Sequence, residues 1–349
     1  MRRALVGLAI LLGLNLVLLV PRASRVKLAT SDVRLRVGLI FDVGGRGDKS
    51  FNDAAYLGLE RAVREVPGVL AEYIEPGEGS DRESAIRILA ARKFDLVIGV
   101  GFIFSDDLYA LALEYPDIRF ACIDYAKFDA SGHFVVPPAN MVALKFREQE
   151  GAFLVGALAA LLSPSKIVGF VGGMDIPLIR KFDAGYAAGI AHVCADCKVL
   201  SAYAGITGDA FKNPQKGKEL ALEQFSAGAH IVFHASGSTG LGVFEAARQR
   251  GQLAIGVDVD QYQEAPGFVL TSMTKQMDVS VFETVRDLAS GKFQAGMREF
   301  GLREAGVDYI YDARNRSLIP DAVRAQVESL RADIIAGRVV VPTETRKRP

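Results

Sequence analysis

Short β-rich runs alternate with amphipathic stretches along most of this sequence. Strands that alternate with helices in this way pair mainly in parallel, and the helices cover both faces of the sheet. In the first series, stretches whose apolar residues recur three and four positions apart separate the β-rich runs LRVGLIFD, LAEYIEP, DLVIGVG and RFACIDY. The alternation therefore predicts a fold of the α/β class.

The alternation begins a second time at Lys166, with the β-rich runs KIVGFVGG, KVLSAYAG, HIVFHASG and LAIGVD. A chain of 349 residues is long enough for two domains. We therefore predict two α/β lobes with parallel sheets, the first formed by residues 29–145 and 271–349 and the second by residues 146–270. The run TSMTKQMDVSVFETVRDLASG is predicted to be a helix in a tail that returns to the first lobe, so that several strands form the hinge.

The N-terminal segment predicts export. Arg2 and Arg3 precede an apolar run over residues 4–20, which is typical of a signal peptide and slightly short for a membrane span. Residues 1–28 are therefore interpreted as a signal peptide or an uncleaved anchor, and a lipid anchor is disfavoured because no cysteine directly follows the apolar run. We expect the protein in the periplasm or at the outer face of the plasma membrane.

The three cysteines are interpreted in the light of export. Cys122 lies in the apolar run RFACIDY and is predicted to be a buried strand residue. Cys194 and Cys197 form C-A-D-C beside His192, but a zinc site lacks a clear fourth ligand there and a deaminase motif lacks its H-x-E. In an oxidising compartment a local disulfide is favoured, although it closes a small loop and is expected to stabilise little.

Several function classes find little support in the sequence. The 41 basic and 41 acidic residues balance, which disfavours a nucleic-acid partner. The run HASGSTGLG, residues 234–242, lacks both the nucleophile-elbow glycine at Ser236 and the spacing of a dinucleotide fingerprint. No catalytic triad, acid–base pair or metal cluster is recognisable, so neither an enzyme nor a cofactor nor a metal site is expected.

The loop FDVGGRGDKSFND, residues 41–53, superficially resembles a phosphate-binding loop. With Lys49 and Ser50 aligned to the lysine and serine of that motif, however, its second glycine falls on Asp48, whose carboxylate would repel a phosphate. The loop instead offers glycines for close approach, carboxylates that accept hydrogen bonds, and the ring of Phe51. This chemistry favours a neutral, hydroxyl-rich ligand with a flat face.

Ligands of open α/β sheets bind beyond the carboxyl ends of the strands. Asp42, Asp124 and Asp258 stand at such ends, either as helix caps or as ligand contacts. Phe51 and Phe211 follow glycine-rich polar runs, GGRGDKSF and GITGDAF, on different predicted lobes. Each ring alone could simply cover core, but together the two could clamp a flat ligand.

Five motifs in the same order resemble the BMP family of basic membrane lipoproteins, which are substrate-binding proteins of ABC transporters whose best-understood members bind purine nucleosides. The resemblance covers residues 34–340 and rests on VGLIFDVGGRGDKSFNDAAYLGLE, VGFVGGMDIPLIRKFDAGYAAG, TGDAFKNPQKGKE, SGSTGLGVFEAA and IGVDVDQYQEAPGFVLTSMTKQMDVSVFE. It implies a type I periplasmic binding fold, in which crossing strands join two Rossmann-like lobes. The chain departs from many members in lacking the lipoprotein cysteine.

The resemblance implies five contacts around a base. Asp42 and Asn52 would contact the base edge or order the loop around it. Phe51 and Phe211 would stack on its two faces, and Asp124 would contact or position it.

Three further residues are implied to lie around a ribose. Gly237 would bring backbone close to the sugar, and Asp258 would accept hydrogen bonds from its hydroxyls. Lys275 would support that aspartate or reach a ribose oxygen.

The resulting hypothesis is a solute-binding protein that closes over a purine nucleoside and delivers it to a membrane permease. A receptor for another small signal or a sugar-like ligand is the alternative binding function. A nucleoside hydrolase is the alternative from a different class, and it would need an activated water and a general acid that the sequence does not reveal.

Overall fold

The structure is a computed structural model that describes residues 24–26, 33–76 and 82–344. Most of the predicted signal peptide or anchor, residues 1–28, lies outside the described residues. The short strand β1 (Ser24–Arg25) falls within that segment but pairs with the first sheet, antiparallel to the strand at Val69–Ile74. The first lobe therefore takes up residues that the sequence analysis assigned to the N-terminal segment.

The first lobe is built on a seven-stranded sheet with the order β1-β3-β2-β4-β5-β6-β12. All of its pairings are parallel except that of β1. Its remaining strands are β2 (Leu35–Ile40), β3 (Val69–Ile74), β4 (Leu96–Val100), β5 (Arg119–Ile123), β6 (Met141–Phe146) and β12 (Gly296–Phe300).

The second lobe is built on a six-stranded sheet with the order β13-β11-β10-β9-β7-β8. Only β13 pairs antiparallel. The strands are β7 (Ile167–Met174), β8 (Lys198–Gly205), β9 (Ile231–Ala235), β10 (Leu253–Asp258), β11 (Val269–Lys275) and β13 (Val307–Tyr309). The two sheets confirm the predicted α/β class.

Helices flank both sheets. In the first lobe α1 packs against α8 and α2 against α3, whereas in the second α4 packs against α5 and α9, and α6 against α7. The helices are α1 (Phe51–Glu65), α2 (Arg82–Ala91), α3 (Ser105–Glu114), α4 (Glu148–Leu162), α5 (Pro177–Val193), α6 (Pro214–Ser226), α7 (Gly240–Arg250), α8 (Met277–Ala289) and α9 (Asp321–Ile335).

Glycines let α4 and α5 approach each other closely. A Cβ added at Gly156 would clash with the carbonyl of Tyr186, and one added at Gly185 would clash with the carbonyl of Gln149. Because α4 is almost entirely buried, its run GAFLVGALAA needs a partner of this kind on several sides. The pair fixes where the N-terminus of α5 stands relative to the second sheet.

The chain crosses between the lobes three times, from β6 to α4, from β11 to α8 and from β12 to β13. Arg147 lies at the first crossing, where its backbone N–H donates to the carbonyl of Phe300 at 2.9 Å. Its guanidinium pairs with Glu150 of α4 at 3.0 Å. The crossing segments therefore contact one another and form the hinge.

The C-terminal part of the chain divides between the lobes differently from the predicted boundaries. Residues 271–275, predicted to begin a helix of the first lobe, belong to β11 inside the second sheet, where every residue is buried between β10 and β13. Only α8 and β12 return to the first lobe, since β13 pairs with β11 and α9 packs against α4. Burial of Thr271 and Thr274 in sheet pairing, which local pattern does not reveal, overrides the helical interpretation.

The cysteines lie as the sequence analysis expected. Cys122 is a free thiol buried in β5. Cys194 and Cys197 form a disulfide at the C-terminal end of α5, with Cα atoms 5.4 Å apart. Among the described residues, no helix combines the length and the apolar character needed to span a membrane.

Candidate functional site

A cavity lies between the lobes, at the carboxyl ends of the strands of both sheets. Its walls include all eight residues for which the sequence analysis implied ligand contacts: Asp42, Phe51, Asn52, Asp124, Phe211, Gly237, Asp258 and Lys275. The structure thus brings the predicted residues into one cleft.

The loop after β2 is held in shape by the carboxylate of Asp48. Its two oxygens accept hydrogen bonds from the backbone N–H groups of Ser50, Asn52 and Asp53 at 2.9–3.2 Å, which satisfies the first N–H groups of α1. The side chain of Asn52 donates to Asp48 at 3.0 Å and accepts from the backbone of Asp42 at 2.9 Å. Of the two roles implied for Asn52, these contacts show the ordering of the loop.

Asp42 is partly buried at the floor of this loop. Its Oδ1 accepts from the N–H of Val43 at 2.6 Å. A Cβ at Gly101 would stand 2.5 Å from the other oxygen, so the glycine makes room for the carboxylate. Removal from water raises the pKa of Asp42 to about 7, with smaller contributions of the same sign from Asp124 and Asp48.

Asp124 and Asp258 occupy equivalent positions in the two lobes, directly after β5 and at the end of β10. Both have left-handed backbone, with φ of 60° for Asp124 and 68° for Asp258. This region is costly for residues other than glycine and is often found at functional sites. Both side chains are buried, and together they line the cleft from the two sides.

Lys275 is the central cation of the cleft. Its Nζ lies 2.7 Å from both oxygens of Asp124 and 3.2 Å from Glu148 at the start of α4. The surrounding carboxylates raise the pKa of the lysine despite its burial, so it remains protonated. The carboxylate it directly supports is therefore Asp124 rather than Asp258, which it influences only through its charge.

Asp258 is bound instead from the first lobe. The hydroxyl of Ser50 donates to its Oδ2 at 2.5 Å. Burial raises the pKa of Asp258 to about 6, against the opposing effects of Lys275 and Ser50. A second contact between the lobes joins the Gln261 amide to the carbonyl of Lys49 at 2.8 Å. The lobes therefore touch across the cleft.

The two predicted rings approach the cavity from different lobes. Lys275 Nζ lies 5.2 Å from the ring centre of Phe51, at the first turn of α1. The ring of Phe211 lies so close to the backbone of β7 that a Cβ added at Gly173 would clash with it. Gly237, with φ of 56°, lets the next turn approach the carbonyl of Phe211, where a Cβ would stand at 2.9 Å.

An apolar wall completes the cavity, and the sequence analysis missed it. It consists of Leu178, Ile179 and Phe182 from the first turns of α5. The run PLIRKF does carry a helix-start signal, since Pro177 occupies the first turn. Which turn faces the cleft, however, depends on the packing of α5 against α4. Within the described residues no cluster of three metal-ligating side chains is present.

Comparison with known proteins points to one family. Residues 35–345 match the family described as Bmp, ABC transporter substrate-binding protein PnrA-like. The chain is 36% identical over 294 residues to a protein of Pyrococcus abyssi named as an uncharacterized lipoprotein, covering 80% of this chain and 70% of the relative. It is 34% identical over 313 residues to basic membrane protein A of Borreliella afzelii, covering 88% and 91%.

A solved structure supports the same assignment. An ABC transporter system solute-binding protein from Aeropyrum pernix K1 superposes with a TM-score of 0.79 at 29% identity, over 90% of this chain and 95% of that one. Together with the two parallel-dominant sheets, this likeness confirms the type I periplasmic binding fold.

Asp42→Asn is expected to gain stability over the wild type as pH rises. The unfolded carboxyl loses its proton near pH 3.8, whereas the folded one keeps it to about pH 7. Between these values folding takes up a proton, so the contribution of Asp42 to wild-type stability is lost as pH rises from about 4 to about 7. From about pH 4 to about pH 7 the melting temperature of Asp42→Asn should rise relative to that of the wild type, and above pH 7 the difference between the two should stay constant.

Glu245→Gln provides the matched control on the surface. Lys218 lowers the pKa of Glu245 from its ordinary value of 4.5, so from about pH 5.5 to pH 7 this carboxylate is ionised in both states. Over that part of the window its offset from wild type should therefore stay constant. A constant offset for Asp42→Asn as well would contradict the raised pKa.

Proposed function

The chain belongs to the Bmp family of PnrA-like ABC transporter substrate-binding proteins, and from this premise we propose that it binds a purine nucleoside between its lobes and delivers it to a permease. Membership implies an extracytoplasmic protein with a small-molecule ligand and permease subunits as partners. The finer location, in the periplasm or at the outer face of the plasma membrane, is part of the proposal.

The observation that carries the nucleoside proposal is the pair of rings in one cleft. Phe51 belongs to the first lobe and Phe211 to the second, and both line the cavity. A flat heteroaromatic base placed between them would stack on both, and stacking of this kind is worth about 1–3 kcal/mol per base. The apolar wall of α5 supplies further dry surface for the base.

The polar part of the cleft suits a sugar with hydroxyl groups. Asp42, Asp124 and Asp258 are acceptors when ionised, and a neutral polyol supplies the matching donors. Ser50 occupies one oxygen of Asp258, which leaves the other to a ribose hydroxyl. Charge-assisted hydrogen bonds of this type contribute about 1.5–3 kcal/mol each.

Closure of the lobes would couple binding to delivery. Besides the Lys275–Asp124 ion pair at the hinge, the hydrogen bonds Ser50–Asp258 and Lys49–Gln261 join the two walls of the cleft. A ligand that touches both lobes binds the closed state better than the open one and therefore shifts the population toward it. The closed form is then the one that presents a loaded protein to the permease.

A thermal-shift screen tests the proposed ligand class. Purine nucleosides should raise the melting temperature more than free bases, nucleotides or sugars, because a ligand that binds the native state stabilises it. Incubation with inosine should release no hypoxanthine. Stabilisation by sugars alone would favour the alternative receptor, and release of hypoxanthine would favour the hydrolase.

Each of the changes Phe51→Ala and Phe211→Ala is expected to weaken adenosine binding by about one to two decades, since each removes one stacking face. Purines should lose more than pyrimidines because they stack over a larger area. The double change should depart from additivity, because one remaining ring closes poorly on the base. Calorimetric titration of five nucleosides measures all of these effects.

Phe128→Ala serves as the matched control for the rings. Phe128 is 53% exposed on a first-lobe loop and does not line the cavity. Its removal should leave every affinity unchanged. If both cleft variants also bound all nucleosides as the wild type does, the two rings would be core residues only.

Nucleosides are expected to bind far more tightly than their monophosphates. Lys275 is the only cation among the lining residues of the described chain, and its ammonium is already engaged by Asp124 and Glu148. A dianionic phosphate would therefore face carboxylates without a free counter-charge. Calorimetry with inosine and inosine monophosphate measures the difference, and equal affinities would refute this description of the cleft.

A further inference from the structure

Ser236 lies on the cavity wall beside Asp258, at the ends of neighbouring strands. Ile255 of β10 pairs with Phe233 of β9, and three residues further along each chain come Asp258, at the end of β10, and Ser236, directly after β9. Adjacent strands stand ~4.8 Å apart. The second lobe therefore carries two oxygen-bearing side chains side by side.

The orientation of the Gln261 amide is fixed by its backbone partners. Its Oε1 accepts from the N–H of Val257 at 2.8 Å, and its Nε2 donates to the carbonyl of Lys49 at 2.8 Å. A backbone N–H can only donate and a carbonyl can only accept, so the amide cannot be flipped without losing both bonds. Gln261 thus presents an acceptor oxygen to its third neighbour, His234.

His234 must then carry its proton on Nε2. This nitrogen lies 3.1 Å from Oε1 of Gln261, which accepts and cannot donate. The ring is fully buried against Phe244, and burial lowers the pKa of His234 to about 4, so the imidazole is neutral at pH 7. A neutral imidazole has one proton, and Nδ1 is therefore an acceptor.

The hydroxyl of Ser236 completes this chain of hydrogen bonds. Its Oγ lies 3.3 Å from Nδ1 of His234. Because Nδ1 has no proton to give, Ser236 must donate its own. The lone pairs of Oγ are then the only hydrogen-bonding capacity that this side chain retains for a ligand.

We propose that Ser236 is a specificity-determining residue that accepts a hydrogen bond from a hydroxyl group of the ligand, with His234 and Gln261 as positioning residues that fix its acceptor role. The inference rests on the proposed nucleoside function and assigns a partner to one hydroxyl of the ribose. The adjacent hydroxyl donates to Asp258. A ligand with two neighbouring hydroxyls therefore matches the two neighbouring acceptors.

Deoxynucleosides test the assignment. Wild-type protein should bind both 2′-deoxyadenosine and 3′-deoxyadenosine more weakly than adenosine. In Ser236→Ala, adenosine should lose about three- to tenfold in affinity, as expected for one neutral hydrogen bond. One of the two deoxynucleosides should bind Ser236→Ala as tightly as it binds the wild type, because the hydroxyl that used the serine is already missing.

Ser238→Ala is the matched control, two residues away. The Ser238 hydroxyl donates to the carbonyl of Phe211 at 3.1 Å and is not part of the cavity wall. Any loss in this variant should be the same for all three nucleosides. A ligand-independent change in Ser236→Ala, or none at all, would overturn the proposal while leaving nucleoside binding intact, whereas failure of all three to bind the wild type would overturn both.

The tautomer of His234, meaning which ring nitrogen carries the proton, can be measured directly. A purely structural role of this side chain in packing would not require a particular tautomer. Long-range ¹⁵N–¹H NMR of the wild-type protein should show the proton of this imidazole on Nε2 and an unprotonated Nδ1. A proton on Nδ1 would make Ser236 a donor toward the ligand and overturn the inference.

Discussion

The buried ammonium of Lys275 is the interaction on which the geometry of the cleft depends. Lys275 is the last residue of β11, and its ammonium pairs with Asp124 of the first lobe and with Glu148 at the start of α4. It therefore connects two of the three crossings between the lobes to the wall of the cleft. A buried charge is tolerated only when it is paired, and removing one partner typically costs several kcal/mol. Lys181 shares Glu148 at 3.1 Å, which keeps the cluster close to neutral. The hinge and the site are therefore one electrostatic unit.

This arrangement determines what the cleft offers to a ligand. The strongest donor on its walls is consumed inside the protein, and the Asn52 amide is likewise turned toward Asp48. The side chains that remain are chiefly acceptors and apolar groups. Ligands without hydrogen-bond donors would leave the carboxylates of the cleft buried and unsatisfied. The cost of these unpaired carboxylates contributes to ligand specificity as much as the contacts that a matching ligand makes. The hydroxyl groups of the proposed nucleoside ligand would satisfy this demand, whereas a phosphate group would not.

The sequence revealed the residues at strand ends better than those placed by helix packing. Asp42, Asp124 and Asp258 could be located because the carboxyl ends of parallel strands meet at one edge, a rule that needs only the strand pattern. Leu178 and Phe182 could not, because their approach depends on how closely α5 lies against α4. The structure of residues 271–275 likewise depends on distant residues. Their sequence, TSMTK, continues into the helical pattern of α8, and only pairing with β10 and β13 makes it a strand.

Apart from the Lys275–Asp124 ion pair at the hinge, few hydrogen bonds join the walls of the cleft, and the energetics of closure follow from this. Ser50 to Asp258 and Gln261 to Lys49 are two hydrogen bonds, worth about 1–3 kcal/mol each at most once exchange with water is considered. Closing an empty cleft would also bury Asp42 and Asp258, whose raised pKa values mark the cost of taking their charges out of water. A ligand that donates to these carboxylates removes that cost and adds stacking on two lobes. Closure is then favourable mainly when the cleft is filled, which is the condition a delivery protein requires.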